Sequence, residues 1–168
     1  MNIQTALNQA NQKLKRNNIF SYKLDSEILM SKVVKEKRDY VILNLSKSLT
    51  NSQLINYRKL INERSRGKPI SYLVGKKEFW KYEFYIEEGV LIPRPDTEVI
   101  IEQTLDLSKN KSKLKVLEVG IGSGCILLSL LKEKKNFYGT GIDISKKCID
   151  ISIINSKKIG LQNRVKYF

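Results

Sequence analysis

Three glycines separated by single residues, Gly120-Ile121-Gly122-Ser123-Gly124, follow a predicted short strand, Lys115 to Val119, and precede a predicted helix, Ile126 to Lys134. A glycine cluster between a strand and a helix constrains this chain more than any other feature. Such a cluster is costly in conformational entropy unless the backbone must turn sharply or approach a ligand closely. Beyond it, Phe137 to Ile142 predicts a second strand, Lys146 to Ile159 a second helix, and Arg164 to Phe168 the start of a third strand. Strand and helix in alternation imply an α/β fold, a parallel sheet covered by helices. Open parallel sheets usually hold about five or six strands. Only three fit here, so the sheet is expected to be incomplete within these 168 residues.

The ligand class follows from what the loop lacks. The dinucleotide pattern G-x-G-x-x-G fails because its sixth position is Cys125, and no Gly-Lys-Ser/Thr phosphate loop is present. An acidic residue ends the second strand: Asp143, in Gly141-Ile142-Asp143-Ile144-Ser145, lies 19 positions after Gly124. A carboxylate at that place can accept hydrogen bonds from both hydroxyls of a ribose. Loop and acid together predict a nucleoside-binding site. The competing reading is a tight strand–helix turn with Asp143 capping the next helix.

The first ~65 residues predict a small helical bundle. Ile3, Ala6, Leu7, Ala10 and Leu14 form one amphipathic stripe. Asp25 is placed to cap a second helix carrying Ile28, Leu29, Val33 and Val34, and Arg38 to Leu45 form a short third. Thr50-Asn51-Ser52-Gln53 matches a capping box for a fourth helix, continued by Leu54, Tyr57, Leu60 and Ile61 and ended by Gly67 and Pro69. The texture changes at Ile70. Glu78-Phe79-Trp80 and Phe84-Tyr85-Ile86 predict a β-hairpin. Pro93 and Pro95 hold the next segment extended, and Asp96 or Thr97 can cap a helix from Val99 to Leu107. The expected organisation is a helical domain over 1–67, a linker with a hairpin over 68–95, and the sheet domain over 96–168.

Composition excludes several chemistries. The chain has no histidine, and its two cysteines, Cys125 and Cys148, form no CxxC pair. Zinc sites, histidine acid–base catalysis and a disulfide framework are therefore not expected, and a cytoplasmic setting is. No apolar run approaches the ~18 residues of a membrane span, and Met1-Asn2-Ile3-Gln4-Thr5 does not open a secretory signal. The net charge of +14 suits an anionic partner such as RNA, DNA or a ribosome-associated factor. Its basic residues are spread rather than clustered, and Lys, Asn and Ile are abundant throughout. Compositional bias accounts for the charge at least as well, and direct nucleic-acid binding is not expected.

Several segments resemble one enzyme family in order and content. Gly67-Lys68-Pro69-Ile70-Ser71-Tyr72-Leu73-Val74-Gly75 followed by Glu78-Phe79-Trp80 is similar to the interdomain link of HemK/PrmC-type release-factor glutamine methyltransferases. Val90-Leu91-Ile92-Pro93-Arg94-Pro95-Asp96-Thr97-Glu98 resembles that family's most distinctive early motif. Glu118-Val119-Gly120 through Gly124 resembles the E-x-G-x-G-x-G loop of class I methyltransferases, and Gly141-Ile142-Asp143, Asn155 and Gly160-Leu161 follow in the family's order.

The resemblance implies a helical domain that recognises a peptide-chain release factor, then a Rossmann-like domain that binds S-adenosylmethionine. It implies transfer of the methyl group to the side-chain nitrogen of the glutamine in the factor's Gly-Gly-Gln motif. Carried onto this sequence, Gly120, Ile121, Gly122, Ser123, Gly124 and Asp143 would bind the cofactor, with Glu118 near its ammonium group. Arg94 and Thr97 would lie near the cofactor or hold the hairpin to the sheet. The family's catalytic Asn-Pro-Pro-Tyr motif is missing, since prolines stand only at 69, 93 and 95. The residues given are thus expected to be the front part of such an enzyme, inactive by themselves and weak in cofactor affinity. Two rivals are an N6-adenine DNA methyltransferase, for which no base-recognition region is found, and a non-catalytic truncated protein that binds a release factor or ribosome.

Overall fold

The computed structural model describes all residues 1–168, which divide into two compact units, 1–74 and 75–168. No helix is long and apolar enough to cross a membrane.

The first unit is five helices: α1 (Ile3–Arg16), α2 (Tyr22–Val34), α3 (Arg38–Leu43), α4 (Asn51–Ser65) and α5 (Ile70–Val74). The stripe read from the sequence is the buried face of α1, where Ile3, Ala6, Leu7, Ala10 and Leu14 meet Leu29, Met30, Val41, Tyr57, Ile61 and Leu73. Asn2 caps α1 by accepting the Thr5 N–H at 2.9 Å. The capping box of α4 forms as expected: Gln53 N–H donates to Thr50 Oγ1, and Thr50 N–H to Gln53 Oε1.

Asp25 is not a cap. It lies inside α2, is buried, and accepts from Arg64 Nε at 2.7 Å and Ser21 Oγ at 2.8 Å. A buried carboxylate is retained where a guanidinium faces it, and here the pair ties α2 to α4. Helix α5 places its Leu73 in this core. The structural division therefore falls at Val74, where the sequence reading began a linker at residue 68.

The second unit opens with the antiparallel hairpin β1 (Lys76–Phe79) and β2 (Tyr82–Tyr85), paired Phe79 with Tyr82. Trp80 in its turn takes φ +56°, and the Trp80 N–H donates to Glu98 Oε1 at 2.8 Å. Neither Asp96 nor Thr97 caps the following helix through its side chain. Pro95–Thr97 instead forms a 3-10 turn that runs into α6 (Glu98–Leu107). Pro95, with φ already set near the helical value, starts that turn.

The remaining elements are β3 (Leu114–Val119), α7 (Cys125–Glu133), β4 (Phe137–Ile142), α8 (Lys146–Lys158) and β5 (Val165–Tyr167). The sheet is parallel in the order β3-β4-β5, with Val119 beside Ile142 and Gly141 beside Tyr167. This is the α/β arrangement expected from the alternation. Arg164 closes the C-terminal end of α7, donating to the carbonyls of Leu131, Lys134 and Lys135 at 2.7–3.0 Å, where a cation also complements the helix dipole. One sheet face is packed: Phe137, Gly139, Gly141 and Val165 are buried. On the other, Leu117 and Val119 remain 62% and 74% exposed.

Candidate cofactor site

The glycine loop joins β3 to α7 as expected, and Gly120, Gly122 and Gly124 all take positive φ. At Gly122, with φ +55°, an added Cβ would meet nothing within 4 Å, so conformation and not crowding within the chain calls for glycine there. Gly124 is different. A Cβ would lie 2.8 Å from Leu128 Cδ1 and 3.2 Å from Ser152 Oγ, so this residue lets the loop descend onto α7 and α8.

The loop is pinned on several sides. The Gly120 and Ile121 N–H groups both donate to Ile142 O, at 2.8 and 3.0 Å. Gly122 N–H donates to Asp143 Oδ2 at 2.9 Å, while Asp143 Oδ1 accepts Ser145 N–H at the same distance. Asp143 thus stands at the end of β4 beside the loop. It is not the side-chain cap of α8; Ser145 is, accepting Cys148 N–H.

Glu118, at the end of β3, accepts Leu127 N–H at 3.0 Å. Burial pushes its carboxyl up to about 7; the Leu127 hydrogen bond opposes the shift, and the nearby Asp143 charge adds to it. The Cys125 thiol is likewise pushed up to about 12, mainly by burial, which makes it a poor nucleophile.

Two clefts meet at Val119 and Gly120. One, of about 380 Å3, includes Glu118, Ile100, Thr104 and Leu127 in its lining; the other, of about 400 Å3, lies among Val119, Gly120, Ile142, Asp143 and Ile144. The structure therefore brings Glu118, Gly120 and Asp143 to one place. Ile121 and Ser123 sit differently: each is only 2% exposed, and they build the loop from inside. The Ile121 side chain lies against Gly141, where a Cβ would come within 2.1 Å of Ile121 Cδ1. Arg94 is exposed and Thr97 half-buried.

Residues 5–75 match the family model of the PrmC N-terminal domain. The release factor glutamine methyltransferase of Buchnera aphidicola subsp. Baizongia pistaciae is 42% identical over 97% of this chain and 58% of its own length. That of Clostridium acetobutylicum is 40% identical over 99% and 58%. Residues 5–75 thus carry the PrmC N-terminal domain, and the chain is similar to release factor glutamine methyltransferases over nearly its whole length. A bifunctional methyltransferase of Rickettsia felis, 31% identical over 98% of this chain, matches along only 36% of its own length. The chain spans about three-fifths of the two release factor glutamine methyltransferases it is compared with. Among these relatives the shared region reaches from the first helical unit through the glycine loop to β5.

Two residues the sequence reading did not assign to the site hold the loop from below. Ser152 Oγ donates to Gly122 O at 2.9 Å, and Asn155 Nδ2 to Ser123 O at 2.9 Å. Their three-residue spacing on a helix was the available signal, since it puts both on one face of α8. No cluster of residues that could hold a metal ion is present.

Proposed function

We propose that residues 75–168 hold S-adenosylmethionine, and that the protein methylates the glutamine of the Gly-Gly-Gln motif in peptide-chain release factors. The observation that carries this reading is that the cleft holding Glu118 and the cleft holding Asp143 meet at Gly120, in a loop where a Cβ at Gly120 or Gly122 would meet open space. The donor set fits the cofactor. Asp143 offers carboxylate oxygens to ribose hydroxyls, Glu118 offers a negative charge to the ammonium group, and the glycines allow close backbone approach. When bound, the cofactor supplies an electrophilic methyl on a sulfonium sulfur. The names of the relatives support the release-factor substrate, and recognition of that substrate is assigned to the helical unit, whose residues 5–75 match the PrmC N-terminal domain. A cytoplasmic setting follows from a role in translation termination.

An amide nitrogen is a weak nucleophile because its lone pair is delocalised, so the reaction depends on positioning. Such positioning can supply about 7–11 kcal/mol at its limit. Residues 1–168 contain no Asn-Pro-Pro-Tyr clamp for it. By themselves they are expected to bind cofactor weakly and transfer no methyl group. Calorimetry with S-adenosylmethionine, and transfer of labelled methyl to a release factor by the intact protein, test the reading. Absence of cofactor binding by the intact protein would sink it.

A further inference from the structure

Asn155 is fully buried on α8, and each hydrogen-bonding group of its amide is used. Its Oδ1 accepts Tyr85 N–H at 2.6 Å, and its Nδ2 donates to Tyr85 O at 3.0 Å and to Ser123 O at 2.9 Å. The first two bonds give the outer edge of β2 what a neighbouring strand would give it: one acceptor and one donor at the same residue. The third bond reaches the glycine loop. Ser152, three residues earlier, adds the bond to Gly122 O, and Tyr167 Oη donates to Ser152 O at 3.2 Å.

Three successive peptide groups of the loop are thereby held. The 121–122 group is held through Gly122 N–H on Asp143, the 122–123 group through Gly122 O on Ser152, and the 123–124 group through Ser123 O on Asn155. A loop kept in this shape before the ligand arrives spares binding the cost of ordering it.

We propose that Ser152 and Asn155 are positioning residues of the cofactor loop, and that Asn155 makes cofactor affinity depend on the docking of the β1–β2 hairpin. The amide that holds Ser123 O is itself oriented by Tyr85, so release of the hairpin removes two of the three bonds that fix its plane. The hairpin is held elsewhere by Glu133, which accepts from Trp80 Nε1 at 2.9 Å, Lys81 Nζ at 3.0 Å and Tyr82 Oη at 3.2 Å without touching the loop. Loosening that grip therefore tests the coupling from a distance. The proposal rests on the S-adenosylmethionine reading.

The test is a thermodynamic cycle in the intact protein, with S-adenosylmethionine affinity measured by calorimetry well below the melting temperature. Circular dichroism checks that each variant is folded. Ser152→Ala is expected to weaken binding by roughly 5-fold or more, and Asn155→Ala by about 10–50-fold. Glu133→Ala is expected to weaken binding severalfold in the parent and not further in the Asn155→Ala background. A purely local structural role for Asn155 would not make Glu133 matter to the cofactor. Folded Ser152→Ala and Asn155→Ala proteins that bind like the parent would overturn the proposal, as would an equal effect of Glu133→Ala in both backgrounds. If Asn155→Ala does not fold, Ser152→Ala and Glu133→Ala in the parent decide: weakening by both supports the proposal, and parental affinity in either overturns it. A parent that binds no cofactor would instead remove the underlying function.

Discussion

Asp143 Oδ2 accepts the Gly122 N–H at 2.9 Å, which joins the end of β4 to the middle of the glycine loop. Its other oxygen accepts Ser145 N–H at the entry to α8. One carboxylate therefore organises both loops that border the cleft. Asp143→Ala leaves two backbone donors without that acceptor. It should lower unfolding stability by about 1–3 kcal/mol and cofactor affinity by roughly 10-fold or more. Urea unfolding and calorimetry on the same preparation separate the two effects.

Glu118 makes stability depend on pH. Its carboxyl is raised from 4.5 to about 7, chiefly by burial. Below pH 4.5 folded and unfolded chains are both protonated there. Between pH 4.5 and 7 the unfolded chain gives up the proton and the folded chain keeps it. This group therefore lowers stability as pH rises through that window, and its effect levels off above it. Glu118→Gln should remove the slope and be more stable at pH 8 by about 1–3 kcal/mol. A cofactor ammonium favours the ionised form, so parental affinity should climb towards pH 7 and flatten beyond. The Gln variant should bind more weakly, with no such climb. Melting curves and titrations from pH 5 to 8 check both.

The glycines should separate by function. Gly120→Ala meets open space and only a left-handed backbone, an expected cost of about 1–2 kcal/mol. Gly124→Ala meets Leu128 and Ser152 as well, an expected cost of about 2–4 kcal/mol. Gly120→Ala should nevertheless lose more cofactor affinity than stability, because its side chain enters the cleft. Equal losses in both variants would contradict this division.

In the helical unit, Arg64→Ala strands the buried Asp25 carboxylate and should cost about 3–5 kcal/mol. The double variant Asp25→Asn with Arg64→Met should recover much of that loss, since it buries no unpaired charge. Chemical denaturation of residues 1–74 reads both.

Periodic patterns carried most of this fold into view. The α1 stripe, the Thr50–Gln53 box and the strand–loop–helix alternation are local signals, and the structure follows them closely. Asp25 misled because short-range reasoning sees a capping residue, while its partner Arg64 is 39 positions away. Ile70–Val74 looked like a linker because its packing partners lie in α2 and α4. Of the candidate site, spacing made legible that the loop of Gly120 and Gly122 lies beside Asp143 at the end of the next strand. For Ser152 and Asn155 the spacing shows only a shared face of α8; that this face meets the loop depends on where α8 crosses beneath it.

The core of the first unit is drawn wholly from residues 3–73, a continuous stretch at the start of the chain. Contacts that close short loops form fast, and segments synthesised first can fold as a unit before later ones exist. This bundle can therefore reach its final shape while the glycine loop is still being translated, which shields its apolar stripe from misassembly with the slower parallel sheet.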